Sequence, residues 1–585
     1  MINLSDAMAA KFRNLISSHT SSVLRNINQD FNTTNRSIAA QLRVRISGDK
    51  CRVYFQGPAR TVAEECGDLG KFIQAFPVDD HIVGVDSLEK GKINYLVNSR
   101  IFCEQVVKTA LNRPPDYQWT KNALFPEHCQ NILVEFSSPN IAKPFHIGHL
   151  RSTIIGNFVA NIQAEVGHSV TRLNYLGDWG SQFGLLLAGV ETAGLQPQDL
   201  RTLDLGKLLG IYIEANTRAE ADEGFSAAAQ TAFKDLESGD QTKLGIWKHC
   251  RDVTIEELKQ NYRTLNVHFD HYHGESMYGS AECSDVMALL ASKQLLQVTG
   301  DGRTVVPLDR TNVTVKKSDG SSLYISRDIA AALDRKSKFS FDKMYYVVDN
   351  SQGTHFNNLF EILRRLGCAW AGDCSHVKFG KVLGMSTRRG QLVLMSDILE
   401  EATARMLEGQ ERSANTRVQG EERRQVAAGL GVSALVVGDL AQRRTKDYEF
   451  SWERALSAAG DTGVRLQYTH ARLCSLRDKC RHLDLGAADT PCGALLTEAA
   501  ALELAVAVAR YDEVLSSSYR QLEAHQLVGY LFQLSSAASR ALQQLPVLAA
   551  ADPDTAAARL QLFTAARRTL ADGLRILGIT PLDKI

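Results

Sequence analysis

Residues 132–166 read as an apolar strand, a turn and a long helix, and no other feature constrains the chain as much. The run Ile132–Phe136 leads into Asn140-Ile-Ala-Lys-Pro-Phe-His-Ile-Gly-His, and a helical pattern follows from Leu150 to Val166. A strand feeding a helix through a short turn is the building unit of a parallel sheet. From about residue 123 such units recur, with Val170–Leu176, Met344–Val348 and Val377–Leu383 as further candidate strands. The pattern predicts a doubly wound α/β domain, which binds ligands at the carboxyl ends of its strands. His146 and His149 are three residues apart and share one face of the helix's first turn. Gly148 leaves the backbone open between them. Helix amino termini attract anions, so two imidazoles there suit a phosphate whose charge grows during a reaction. Taken alone, an H-x-x-H pair is also what two surface histidines look like.

A length of 585 residues exceeds the ~250–300 at which single cores stop growing. Residues 1–122 read as a small α+β domain, with Cys51-Arg-Val-Tyr-Phe strand-like and Thr61–Phe76 helical. Asn112-Arg-Pro-Pro-Asp-Tyr is the expected linker, because consecutive prolines cannot continue a helix. The α/β domain is placed at 123–415, and charged helices without further sheet strands read as an insertion over roughly 190–320. Residues 416–585 are predicted to be all helical, with Ala499–Val508 and Leu560–Leu577 periodic and a loop at Pro553.

Lysine plus arginine and aspartate plus glutamate number 66 each, so formal net charge is zero. A polynucleotide partner would have to be met by local basic patches. No apolar run reaches the ~18 residues needed to cross a bilayer, so no membrane insertion is expected. The 11 cysteines include no C-x-x-C pair; Cys368/Cys374 and Cys474/Cys480 are six apart. This predicts free, mostly buried thiols and no protein-bound zinc. Residues 1–45 are basic and serine-rich, with Leu4, Met8, Phe12, Leu15 and Ile16 at helical spacing. The first ~25 residues fit a mitochondrial transit peptide, and equally a basic first helix of the N-terminal domain.

The stretch from Val134 to Gly156 resembles the signature of class I arginyl-tRNA synthetases. Asn174-Tyr-Leu-Gly-Asp-Trp-Gly-Ser-Gln-Phe-Gly, Tyr324-Ile-Ser-Arg-Asp, Val382-Leu-Gly-Met-Ser-Thr-Arg-Arg-Gly and Gly460-Asp-Thr-Gly-Val-Arg-Leu-Gln-Tyr-Thr-His-Ala-Arg-Leu resemble later words of that family, in order. Leu577-Gly-Ile-Thr-Pro is most similar to the mitochondrial branch. The resemblance implies a Rossmann-type catalytic domain, an N-terminal tRNA-binding domain and an α-helical anticodon-binding domain. It also implies a monomer that takes L-arginine, ATP with Mg2+ and tRNA(Arg), in the mitochondrial matrix or, alternatively, the cytoplasm.

Residue by residue, the resemblance makes Glu135 and Asp328 the guanidinium partners. Asn140, Tyr324, Gln352 and His146 orient the amino acid, with Phe136 and Ser137 on the same strand end. His146, Gly148, His149, Met385, Ser386, Arg388 and Arg389 match ATP contacts. Gln467, Tyr468 and Arg472 match the tRNA surface. Two lysines usual in class I enzymes are replaced here by Gly384 and Thr387. Lys143 stands where arginyl enzymes carry a compensating lysine, so His146, His149 and Lys143 form the expected catalytic set. On spacing alone, Asp328 also suits an ion pair with Arg327 or Arg335, and Tyr468 a core position. Other class I ligases, small nucleotidyltransferases and an RNA-binding remnant of a synthetase are the competing readings.

Overall fold

The computed structural model describes residues 9–27, 35–47, 52–58, 62, 64, 69–88, 92–114, 117, 119, 124–141, 145, 147–195, 205–309, 311–318, 323–383, 394–412, 417–451, 453, 454, 457, 460–483 and 492–585. Four strands, β1 (Arg43–Ile46), β2 (Val53–Pro58), β3 (Ile82–Leu88) and β4 (Lys92–Val97), form an antiparallel sheet in the order β1-β2-β4-β3. The helix Ala10–Ile27 packs against this sheet through Phe12, Ile16 and Leu24, all fully buried. Its Arg13 is buried too and reaches Glu513 at 2.8 Å and Asp512 at 3.4 Å, in the C-terminal helices. Cleavage near residue 25 would therefore remove a core element and leave two buried carboxylates without their cation. Residues 1–8 lie outside the described residues.

The central sheet holds five parallel strands. They are β5 (Asn131–Glu135), β6 (Ser169–Leu176), β7 (His271–Gly274), β11 (Lys343–Tyr346) and β12 (Cys374–His376), in the order β12-β11-β5-β6-β7. Alternation along the strands splits the core. Val134, Tyr345 and Val347 face the helix Ile147–Val166 and the C-terminal helices. Leu133, Leu173 and Met344 face the helices Tyr324–Phe339 and Gly353–Arg365.

Three expectations need correction. The stretch 190–320 is not free of sheet strands, because β7 extends the central sheet beyond β6. A second, antiparallel sheet follows from β8 (Gln297–Val298), β9 (Thr304–Pro307) and β10 (Asn312–Lys316). Strand β7 reads His-Tyr-His-Gly, a short polar edge strand with no apolar run to reveal it. The strand expected over 377–383 is β12 just before it plus a short β13 (Val382–Leu383), which pairs with β14 (Tyr448–Glu449). Pro553 marks no loop; it opens the helix Pro553–Ile576, capped by Asp552, where proline's missing N–H costs nothing.

The described part of 416–585 is helical, from Gly420–Leu440 to Pro553–Ile576, apart from β14. No described helix is long and apolar enough to cross a membrane. The nine described cysteines are free, and seven of them are buried.

Candidate active site

The loops at the carboxyl ends of β5, β6 and β7 are laced together. Ser137 and Ser138 both adopt positive φ, +70° and +46°, which turns the chain sharply off β5. Ile141 N–H donates to Gly177 O and Gly177 N–H donates to Pro139 O, both at 3.1 Å. A Cβ at Gly177 would lie 2.1 Å from Asn140 Oδ1, so a larger residue there would displace the Asn140 side chain. Asp178 is fully buried and accepts from Ser276 N–H and Oγ, each at 2.8 Å, and from Arg251 Nε at 2.9 Å. It thereby fixes the turn that carries Glu275 and joins it to the long insertion helix Gln241–Thr264.

Glu135, at the end of β5, is buried in an ion pair with Arg335 from the helix Tyr324–Phe339. Burial still raises its carboxyl above the usual range, with Arg335 offsetting part of that and Asp328 adding to it. The Arg335 guanidinium sits 4.4 Å from the centre of the Tyr175 ring. Asp328 is not paired with Arg327 or Arg335; it lies 2.7 Å from His355 Nε2. Glu275 stands 4.0 Å from Arg327. Burial, reinforced by Asp328 and partly offset by Arg327, pushes its carboxyl up to about 7. Three carboxylates, Glu135, Asp328 and Glu275, thus gather here with two arginines, Arg335 and Arg327. The buried hydroxyls of Tyr175 and Tyr346 have no hydrogen-bond partner among the described residues.

The other anticipated amino-acid contacts divide. Tyr324, 63% exposed, opens the helix that carries Asp328 one turn on. Gln352 is exposed in the turn after β11, and Asn140 is half-buried beside Gly177. Phe136 and Ser137 do not present their side chains to this cleft. The Phe136 ring is buried against Phe269 at 4.4 Å, over Gly156, where a Cβ would come within 2.2 Å of it. The Ser137 hydroxyl is spent on Thr153 at 2.8 Å and Tyr262 at 2.7 Å. Their backbone N–H groups are also taken, by Leu173 O at 3.1 Å and Ser152 Oγ at 3.0 Å, so only their carbonyl oxygens are left for a ligand.

His149 lies in the first turn of the helix Ile147–Val166, stacked on Phe145 at 5.4 Å, with Gly148 exposed beside it. Lys143, His146, Met385, Ser386, Arg388 and Arg389 lie outside the described residues. Arg151, which sequence reasoning missed, is buried on the same helix. It donates to Gly380 O at 2.6 Å and Lys446 O at 2.8 Å, and lies 3.5 Å from Asp439. It so anchors the chain just before β13, which leads into residues 384–389. An arginine one turn past a histidine pair reads as a surface charge, and no local signal marks it otherwise.

On the helix Gly463–Lys479, Tyr468 is 46% exposed and Arg472 lies beside its ring, 5.9 Å from the centre. Gln467 is fully buried, which corrects its expected place on the surface. Its Nε2 donates to Ser433 Oγ at 2.9 Å and Thr580 O at 2.8 Å, and its Oε1 accepts from Leu582 N–H at 2.9 Å. It straps the C-terminal segment to the helix. His470, Cys474 and Asp583 form the one cluster with metal-like spacing among the described residues. His470 Nδ1 bonds Leu582 O at 2.9 Å, and Cys474 donates to Asp583 at 3.2 Å.

Comparison with known proteins agrees with this arrangement. The family profile described as tRNA synthetases class I (R), catalytic domain, matches residues 118–452, and the DALR anticodon binding domain matches 466–585. A Mus musculus protein named as a probable mitochondrial arginine–tRNA ligase is 42% identical over 512 residues, 86% of this chain and 87% of that one. A Dictyostelium discoideum protein named as a probable cytoplasmic arginine–tRNA ligase is 40% identical, over 88% of this chain and 90% of its own. The crystal structure of arginyl-tRNA synthetase from Plasmodium falciparum shares the fold, with a TM-score of 0.80 at 23% identity over 98% of this chain and 99% of that one. The chain belongs to the class I arginyl-tRNA synthetase family and is an aminoacyl-tRNA ligase.

Proposed function

We propose that this ligase joins L-arginine to tRNA(Arg) in the mitochondrial matrix, acting as a monomer. The arginine carboxylate attacks the α-phosphorus of ATP, pyrophosphate leaves, and the arginyl-adenylate passes its acyl group to the 3′ end of the tRNA. The observation that carries the substrate choice is the gathering of three carboxylates, Glu135, Asp328 and Glu275, at the carboxyl ends of the strands, with Asp328 held by a histidine and not by an arginine. A guanidinium brings one positive charge and five donors, and carboxylates bind it in bidentate geometry. A neutral or thiol substrate offers these carboxylates no such partner.

Asp328 faces the guanidinium from the helix Tyr324–Phe339, and Glu135, held by Arg335, contributes charge from beneath. Tyr324, Gln352 and Asn140 orient the amino acid, together with the backbone of Phe136 and Ser137. His146 and His149 donate to the phosphates at the helix amino terminus, with Gly148, Met385 and Ser386 against the nucleotide. Lys143, Arg388 and Arg389 supply cationic help to the leaving pyrophosphate. Mg2+ that enters with ATP shares that charge. Tyr468 and Arg472 meet the anticodon arm, where an exposed ring can stack on an unpaired base.

The decisive experiment is an aminoacylation panel with purified tRNA and each amino acid in turn. Charging by arginine alone supports the reading, and charging by another amino acid, or none, removes it. The matrix assignment rests on likeness to proteins named as mitochondrial and on the basic, serine-rich start. Import of the full chain into isolated mitochondria tests it; exclusion would favour the cytoplasm, where relatives of nearly equal identity are named.

A further inference from the structure

A second cavity lies on the other face of the central sheet from Arg335, at the junction of all three parts of the chain. Its volume is about 770 Å³. Lys343 at the start of β11, Arg444 from the segment before β14, and Arg520 from the helix Tyr511–Gln521 converge on it, joined by His376 of β12. Tyr345 and Tyr519 supply aromatic walls. Lys343 pairs with Ile132 in register and Tyr346 with His376, so the cavity runs beside β11 and β12, and the sheet separates it from the Glu135–Arg335 pair.

No carboxylate lines this cavity among the described residues. The contrast with the cleft around Arg113 and Arg575 is direct, because there Glu165 and Asp572 stand among the lining groups. Arg520 donates to Leu124 O at 2.9 Å, a neutral acceptor. Arg444 donates to Lys378 O and lies 3.7 Å from Glu523, which is outside the lining. The Arg444 Nε is buried without a partner among the described residues. Burial lowers the pKa of Arg444, with Glu523 opposing and Arg151 adding to the effect. Cations gathered in a half-closed space without carboxylates attract a polyvalent anion, and flanking rings suit a base or sugar.

We propose that this cavity is a second binding site, separate from the active site, for a phosphate-bearing ligand. Several fixed cations match a group with many oxygens better than a single carboxylate, while the His376 ring is held by Val348 O at 2.9 Å and by Phe356. The phosphate can come from the backbone of a bound RNA or from a free oligophosphate, and the two sources are separable.

The test uses the full chain and two variants, Lys343→Gln and Lys343→Glu, because the Lys343 side chain holds no ion pair among the described residues. Melting temperature verifies that each is folded. In one arm, tripolyphosphate is titrated calorimetrically into tRNA-free protein. In the other, tRNA affinity is measured across a salt series. A free-ligand site predicts tripolyphosphate heat in the wild type that Lys343→Glu abolishes. An RNA-backbone site predicts at least tenfold weaker tRNA binding in Lys343→Glu, and a salt slope shallower by about one in Lys343→Gln. Folded Lys343→Glu that matches the wild type in both arms overturns the proposal. Neither arm uses arginine, so failure of the arginine–tRNA reading leaves the result interpretable.

Discussion

Arg335 and Glu135 form a buried ion pair across the floor of the candidate active site, although Arg335 looks like a surface charge in the sequence. Arg335 satisfies Glu135 from within the chain. Replacing it with glutamine leaves a buried carboxylate without its cation, which costs about 3–5 kcal/mol. Urea unfolding of Arg335→Gln at pH 7 should show a loss of that size. A loss under about 1 kcal/mol would mean that Glu135 draws its stabilisation from solvent.

Asp328, with only His355 beside it, is the carboxylate freer to face a guanidinium. Asp328→Asn keeps the shape and removes a charge-assisted contact worth roughly 1.5–3 kcal/mol. The expected result is a fall of about 10- to 100-fold in kcat/KM for arginine, with KM for ATP near wild type. An unchanged kcat/KM in the folded variant would sink the assignment.

Glu275 gives a pH signature. Its carboxyl is raised from 4.5 to about 7, chiefly by burial. The folded state therefore holds a proton that the unfolded state releases between those two values. Stability from this group is complete below pH 4.5 and is lost as pH rises through about 7. Wild type should thus lose stability relative to Glu275→Gln between pH 5 and 8. Parallel curves from urea unfolding at the two pH values would refute the shift.

Gln467 and Tyr468 are adjacent in sequence and do opposite work. Gln467→Ala strands Leu582 N–H and Thr580 O, so it should lower the melting temperature and leave the KM for tRNA near wild type. Tyr468→Ala should raise the KM for tRNA by an amount equivalent to about 1–3 kcal/mol, with little thermal effect. Exchange of the two phenotypes would invert the helix face proposed for tRNA.

That pair also shows what a sequence can and cannot tell. The apolar runs at 132–136 and 170–176 identify sheet strands because both of their faces are covered. Strand β7 hides because it is a four-residue edge strand with two histidines. Arg151 and Arg335 hide because a charge on a helix reads as solvated, and its burial depends on partners far along the chain, Asp439 and Glu135. Gln467 was legible in principle. Leu466, His470, Ala471 and Cys474 mark the inner face of its helix, and residue 467 belongs to that face while 468 and 472 point outward. Matching family words to residues picks out Glu135 and Asp328, which act on each other in the structure, but it does not reveal that Phe136 and Ser137 turn inward.

Lys143 tests a departure from the general class I pattern. Gly384 and Thr387 stand where two lysines usually serve the departing pyrophosphate, yet that charge still needs help in the transition state. Lys143 precedes the histidine helix by a few residues, on the segment that leaves β5. Arg151 on the same helix donates to Gly380 O and Lys446 O, and so ties the chain just before β13 to it. Lys143→Ala should lower the rate of adenylate formation by about 10²-fold, the scale for losing one transition-state donor. The KM for arginine should hold, because Asp328 and Glu275 sit on other elements, the helix Tyr324–Phe339 and the turn after β7. Thr387→Lys in the Lys143→Ala background should recover part of the rate, since only charge near the phosphates is restored. Single-turnover adenylate formation with tRNA present is the measurement. A fall of less than about threefold, on the order of 0.7 kcal/mol, would assign the role to Arg388 or Arg389 instead.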